Sequence, residues 1–280
     1  MRIEEFKEIV YREEGNGIVT VTLNIPKRKN AISPYTLYEL FWAVDAMEKD
    51  EAARVMILTG AKDPDNDDPA KEAFCSGGYF NPNAMAGVSD EIKADIDMTD
   101  IAQARLTLKM WRCDKPIIAA VNGLFIGGGF TMCLAGCDLI YCSEHAWAQL
   151  PFVGLGIIPE LASSYLLPRL IGFQRAKEIM FFGDRIPAKK LFEMGIVNKV
   201  LPHDQLMAHA REMALRLIPP KAAGYAVRTA KRTLHQPLFD AIATALNLEN
   251  KGLNDCFKTA DFMEALMARA EKRPPAFQGK

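Results

Sequence analysis

The 280-residue chain has no surplus of either charge: 34 Lys and Arg stand against 35 Asp and Glu, a formal net charge of -1. Without a broad basic field there is little to hold a phosphate backbone, so no nucleic-acid partner is expected. The chain also lacks any C-x-x-C pair, although cysteines stand at 75, 113, 133, 137, 142 and 256. Cys133, Cys137, Cys142 and His145 cluster in sequence, but with no ligand-pair spacing they read as small core-filling thiols, and no metal is expected. An apolar leader is missing too. The opening MRIEEFKEIVYREEG is charged throughout, which gives an expectation of a cytoplasmic location and reduced thiols. Residues 117–137 carry no charge and are long enough to span a bilayer. Glycines at 123, 127, 128, 129 and 136 interrupt that run, each costing a helix about 1 kcal/mol, so strand, turn and short buried helix are expected and no membrane partner.

Apolar residues make up 49% and charged residues 25% of the chain, the balance of a soluble globular protein. Val19, Val21 and Leu23 alternate with threonines in the manner of a half-buried strand. Ser33-Pro34 reads as a helix cap and first helical residue, followed by Leu37, Leu40, Phe41, Val44 and Met47 at helical spacing. Apolar runs at residues 55–60, 117–121, 139–142 and 197–201 predict buried strands, and residues 101–111 predict a helix. The acidic stretch DPDNDDP (63–69) is a solvated loop; it lacks the glycine and terminal glutamate of a calcium-binding hand. Strands alternating with helices indicate an α/β fold. After Pro202 the strand signals stop, dividing a mixed core (1–202) from a helical region (203–280), in which Arg228, Lys231 and Arg232 read as an exposed basic face.

Two glycine turns carry the chemistry. One is FCSGGYF (74–80) and the other is NGLFIGGGF (122–130), which enters a short helix. Glycine lets backbone N–H groups approach a ligand closely, and a helix start adds positive potential. Two such turns can form a pocket for a developing oxyanion. Neither has the phosphate-loop or dinucleotide spacing.

These turns, together with IPKRKNAIS (25–33), KPIIAAVNGLFIGGGF (115–130), CDLIYCSEHAWAQLP (137–151), LGIIPE (155–160) and the tail EKRPPAFQGK, resemble in order the crotonase superfamily, the enoyl-CoA hydratase/isomerase family. The resemblance spans nearly the whole chain. It implies a spiral core of ββα turns followed by a helical trimerisation region, with trimers or hexamers as the assembly. It also implies an acyl-CoA thioester as substrate, and no cofactor beyond the CoA that the substrate carries. By position, Gly78 and Gly128 match the oxyanion donors. Lys27, Arg28 and Ala31 fall where the family binds CoA, and Lys272 matches a lysine that reaches a neighbouring subunit's CoA. Ser76, Tyr79, Thr131 and Phe152 fall at substrate-contacting positions.

Departures from the pattern bear on the reaction. Hydratases carry one glutamate two residues after the triple glycine and another in a P-E pair; here those places hold Thr131 and Phe152. Glu160, in PELASSY, resembles the single catalytic glutamate of peroxisomal-type Δ3,Δ2-enoyl-CoA isomerases. A base at Glu160 shifting a double bond is therefore the expected activity. The alternatives are a hydratase or another crotonase-type lyase or hydrolase, and a non-catalytic acyl-CoA-binding subunit. Read from spacing alone, Pro159-Glu160 is the acidic first turn of a helix, which would lower the carboxyl's pKa, whereas proton shuttling favours a raised one.

Overall fold

The apolar runs become strands of two sheets in the computed structural model, which describes residues 1–79, 81 and 83–280. Phe80, which closes the first glycine string, lies outside the described residues. In chain order the strands are β1 (Ile9–Glu13), β2 (Ile18–Leu23), β3 (Val55–Gly60), β4 (Ala73–Cys75), β5 (Ile117–Val121), β6 (Leu124–Ile126), β7 (Leu139–Ser143), β8 (Trp147–Gln149), β9 (Ile186–Pro187) and β10 (Lys199–Leu201). The helices are α1 (Pro34–Lys49), α2 (Asp90–Asp95), α3 (Ala104–Arg112), α4 (Gly128–Gly136), α5 (Ser163–Ile171), α6 (Phe173–Phe182), α7 (Ala188–Glu193), α8 (Leu206–Arg216), α9 (Gly224–His235), α10 (Phe239–Cys256) and α11 (Ala260–Glu271).

A six-stranded sheet runs β1-β2-β3-β5-β7-β10, antiparallel at β1–β2 and parallel elsewhere. Its central strands read as unbroken apolar runs because both faces are covered. Val21, Met56, Leu58, Ala119, Val121 and Ile140 face the main core, which includes Leu40, Val44 and Met47 of α1. Ile18, Val55, Ile57, Ile118 and Tyr141 face the other way, beneath Leu206, Ala210 and Ala214 of α8. A four-stranded sheet runs β4-β6-β8-β9, with β4, β6 and β8 mutually parallel. The α/β expectation of a mixed core followed by helices is met; α8 to α11 follow β10.

Helix α1 begins as its sequence dictates. The Ser33 hydroxyl accepts from Thr36 N–H at 3.1 Å and the Thr36 hydroxyl accepts from Ser33 N–H at 2.9 Å, a reciprocal cap of the kind that contributes about 1 kcal/mol. The helix expected from residue 101 starts later, at Ala104, because the Asp100 carboxylate takes the N–H groups of Ala104 (2.8 Å) and Arg105 (2.9 Å) and so fixes the first turn there. The basic face of α9 is corrected more sharply. Lys231 is buried, its Nζ donating to Asp138 Oδ2 (2.8 Å) and Lys115 O (2.9 Å). Arg228 grips both oxygens of Asp114 at 2.7 and 3.0 Å. These cations tie α9 to the strand ends of the core. Among the described residues no helix is long and apolar enough to cross a membrane.

Candidate active site

Parallel pairing of β4, β6 and β8 brings their carboxyl ends to one edge of the smaller sheet. Three chain turns leave from that edge: Ser76-Gly77-Gly78 after β4, Gly127-Gly128 after β6, and Pro151-Phe152 after β8. Gly77 (φ +92°) and Gly127 (φ +49°) turn the chain through the left-handed region, where a Cβ is strained. At Gly77 a Cβ would also lie 2.9 Å from Ile126 O. Gly127 N–H donates to Gln149 O at 2.9 Å, which fastens the second turn to β8.

Both oxyanion candidates present unspent N–H groups. Ile32 N–H donates to Gly77 O (2.9 Å) and Tyr79 N–H donates to Ile32 O (2.8 Å). In that parallel register Gly78, paired opposite Ile32, has its own N–H turned away from Ile32. Gly128 is the first residue of α4, where helix geometry leaves the N–H without an internal acceptor. Among the described residues neither N–H has a protein partner.

Gly78, Gly128 and Glu160 line one cavity of ≈ 1460 Å³. Glu160 Oε1 sits so close to the second turn that a Cβ on Gly128 would be 3.0 Å from it. Burial pushes the Glu160 carboxyl up to about 8; the Glu249 carboxylate pushes the same way, and the Thr131 hydroxyl, 3.4 Å from Oε1, opposes them. The helix-cap expectation for Glu160 fails. Helix α5 starts at Ser163, and Leu161 and Ala162, both left-handed at φ +54° and +57°, separate Glu160 from it. The N–H groups there go to Glu249 of α10: Ala162 N–H donates to Oε2 (2.8 Å), Ser164 N–H to Oε1 (3.0 Å), and the Ser164 hydroxyl also to Oε1. Because another carboxylate does the capping, Glu160 is not the acid of the first turn of α5. Sequence reasoning missed Glu249, yet α10 carried a signal: its buried stripe reads Ile242, Ala245, Leu246, Glu249, Leu253, with an acid where an apolar residue belongs.

Among the other expected residues, Arg28, Ala31, Ser76, Tyr79 and Phe152 line the cavity. Arg28 is held by Glu8 (2.5 Å), donates to Ala31 O (3.1 Å), and lies over the Tyr79 ring, 4.3 Å from its centroid. Ser76 N–H donates to Lys29 O at 3.0 Å. Phe152 packs against the Gly127 turn. Three expected residues stand apart. Lys27 turns to the acidic loop, bound by Asp63 (2.9 Å) and Asp65, and does not line the cavity. Thr131 is fully buried behind Glu160, its hydroxyl donating to Gly127 O at 3.2 Å, so it meets the carboxylate and not the cavity. Lys272 ends α11 on the exposed surface, while Arg269 and Arg273 on either side of it reach the cavity. Leu37, Phe41, Leu106, Phe257 and Phe262 give the cavity an apolar wall. Two N–H donors, one carboxylate of raised pKa and an apolar wall suit an acyl group whose carbonyl gains negative charge as a neighbouring proton leaves.

Known proteins resemble this chain over nearly its whole length. A family profile described as enoyl-CoA hydratase/isomerase matches residues 13–280. The chain is 32% identical over 269 residues to a short-chain-enoyl-CoA hydratase of Clostridium acetobutylicum, covering 96% of this chain and 97% of that protein. It is 31% identical over 279 residues to a crotonyl-CoA hydratase of Syntrophomonas wolfei, covering 98% and 99%. The crystal structure of an enoyl-CoA hydratase/isomerase from Pseudoalteromonas atlantica T6c superposes with a TM-score of 0.82 at 27% identity, covering 97% of this chain and 100% of that one. The chain belongs to the enoyl-CoA hydratase/isomerase family of the crotonase superfamily, and it has that family's fold.

Proposed function

We propose that the protein moves the double bond of a 3-enoyl-CoA thioester to the conjugated 2-position, with Glu160 as the single base. One observation carries this reading: Glu160 is the carboxylate beside the two glycine turns, while the two places that hold glutamates in hydratases carry a buried hydroxyl, Thr131, and an aromatic ring, Phe152. The thioester carbonyl oxygen accepts from Gly78 and Gly128 N–H. Glu160 takes a proton from the α carbon, and the C–H electron pair spreads through the carbonyl and the old double bond as a dienolate. The same carboxyl then returns the proton to the γ carbon, and the carbonyl reforms with the double bond now at the 2-position. No atom is gained or lost. A donor to the oxyanion contributes about 2.7–4 kcal/mol to lowering such a barrier.

The Thr131 hydroxyl shares its one proton between Gly127 O and the more distant Oε1, while Oε2, without a partner among the described residues, carries the substrate's proton. Lys29 and Arg269 at the cavity wall supply positive charge for the CoA phosphates, beside Arg28, which is paired with Glu8, and Arg273, which is paired with Glu264 and Glu271. Residues 203–280 serve association into trimers or hexamers, and exposed Phe181, Phe182, Tyr225 and Leu234 supply apolar surface for it.

Hydration is the second reading, favoured by the names of the relatives, which are hydratases. In that case Glu160 would have to activate water and protonate carbon alone. Glu160→Gln tests the role of the base. It should abolish turnover of enoyl-CoA while leaving thioester affinity within a few-fold; near-normal turnover by the folded variant would leave a binding subunit, or another base, as the answer.

A further inference from the structure

We propose that Glu249 is a positioning residue for this reaction: from α10 it grips the backbone just after Glu160 and so fixes where the Glu160 carboxylate lies against the glycine turns. The inference rests on Glu160 being the base. Glu160 is followed by two left-handed residues, Leu161 and Ala162, neither a glycine. Such residues cost about 1–2 kcal/mol each and persist only where their surroundings hold them. The hold comes from two successive residues of α10. Glu249 accepts from Ala162 N–H (2.8 Å), from Ser164 N–H (3.0 Å) and from the Ser164 hydroxyl. Asn250 Oδ1 accepts from Ala102 N–H (2.6 Å), and Ala102 O in turn accepts from Leu161 N–H (3.3 Å). The backbone that follows Glu160 is thus fastened at Leu161, through Ala102, and at Ala162 and Ser164 to one turn of a helix distant in sequence.

Glu249 is buried at 3% exposure, and its hydrogen-bond donors among the described residues are Ala162 and Ser164, neither of them a cation. On α3, Arg105 pairs with Asp95, Lys109 pairs with Asp45 and Glu48, and Arg112 lies over Phe239. Asp100, before α3, bonds Asn250 and the N–H groups of Ala104 and Arg105. On α5, Arg169 lies over its own neighbour Tyr165, and on β4 the Cys75 thiol is buried. A buried carboxylate without a counter-ion is a poor stabiliser of a fold. Burial raises the Glu249 carboxyl above the usual glutamate value, the three donated hydrogen bonds work against that rise, and its negative charge opposes ionisation of Glu160. Glu249 therefore acts on the base twice, through the backbone and through its charge.

The test pairs Glu249→Gln, which removes the charge, with Glu249→Asp, which keeps it but cannot span both N–H groups. Both should lower kcat per folded site by about ten-fold or more, as a misplaced base does, with KM within about three-fold. Only Glu249→Gln should shift the acidic limb of the pH profile, downward by about one unit as for loss of a nearby like charge. Unchanged kcat and limb in Glu249→Gln would overturn the proposal, as would variants that lose only thermal stability. Should Glu249→Gln not fold, an unchanged kcat per folded site in Glu249→Asp overturns it alone. Glu160→Gln measured alongside separates the two claims. Retained turnover there removes the base itself; lost turnover there with wild-type behaviour of both Glu249 variants removes only this inference.

Discussion

Replacing Gly128 by alanine should separate activity from stability. The added Cβ would lie 3.0 Å from Glu160 Oε1 and 3.0 Å from Ile32 Cδ1, so the carboxylate has to retreat by a few tenths of an ångström. The new methyl also stands beside the N–H that meets the substrate oxygen. A misplacement of about 1 Å costs roughly 100-fold in rate, and the backbone N–H itself is retained. For a shift of a few tenths of an ångström a kcat/KM reduced by about ten-fold is therefore expected. The fold should hardly notice: Gly128 begins α4 without a left-handed φ, alanine is the better helix former by up to about 1 kcal/mol, and Ile32 meets the methyl with the far end of its side chain. Steady-state kinetics on an enoyl-CoA, run beside thermal denaturation, reads both effects. Turnover within three-fold of wild type at unchanged Tm would refute the placement of Gly128 against the base.

The Glu160 carboxyl, raised to about 8, has to be ionised to act, so kcat/KM should climb with pH through an inflection near 8. The same shift has a stability consequence. Between the unfolded value of 4.5 and about 8 the folded state binds the extra proton, so this group's contribution to stability falls as pH rises. Melting curves should therefore show Glu160→Gln matching wild type near pH 4 and exceeding it increasingly towards pH 8; a constant difference would contradict the raised value. Lys231→Met takes the cation from Asp138, which keeps the Ile117 N–H, and chemical denaturation should show a loss of about 1.5–3 kcal/mol with kcat per folded site unchanged, because Lys231 does not line the cavity. Sedimentation should find trimers or hexamers, and a monomer at micromolar concentration would contradict the role proposed for residues 203–280.

Legibility followed the range of the interactions. Ser33 announced the start of α1 because a cap acts within three residues, and the β3 and β5 runs announced themselves because burial on both faces leaves no polar alternation. The glycine turns were legible because close backbone approach demands that residue type. Glu160 was legible as a candidate, but not its surroundings: the left-handed Leu161 and Ala162 carry no side-chain signature, and the carboxylate that caps α5 lies 87 residues from Ala162. Lys231 misled for the same reason, since its partners, Asp138 and Lys115, belong to other elements. What stayed hidden was pairing between a side chain and groups distant in sequence.

The central claim is that one carboxylate moves a proton between two carbons of the substrate without recruiting water. Incubating the protein with a 3-enoyl-CoA and following the product by mass and ultraviolet absorbance tests it most directly. The account predicts a product of unchanged mass with the absorbance of a conjugated thioester, formed by wild type and not by Glu160→Gln. A dominant product heavier by one water would contradict it and make the protein a hydratase.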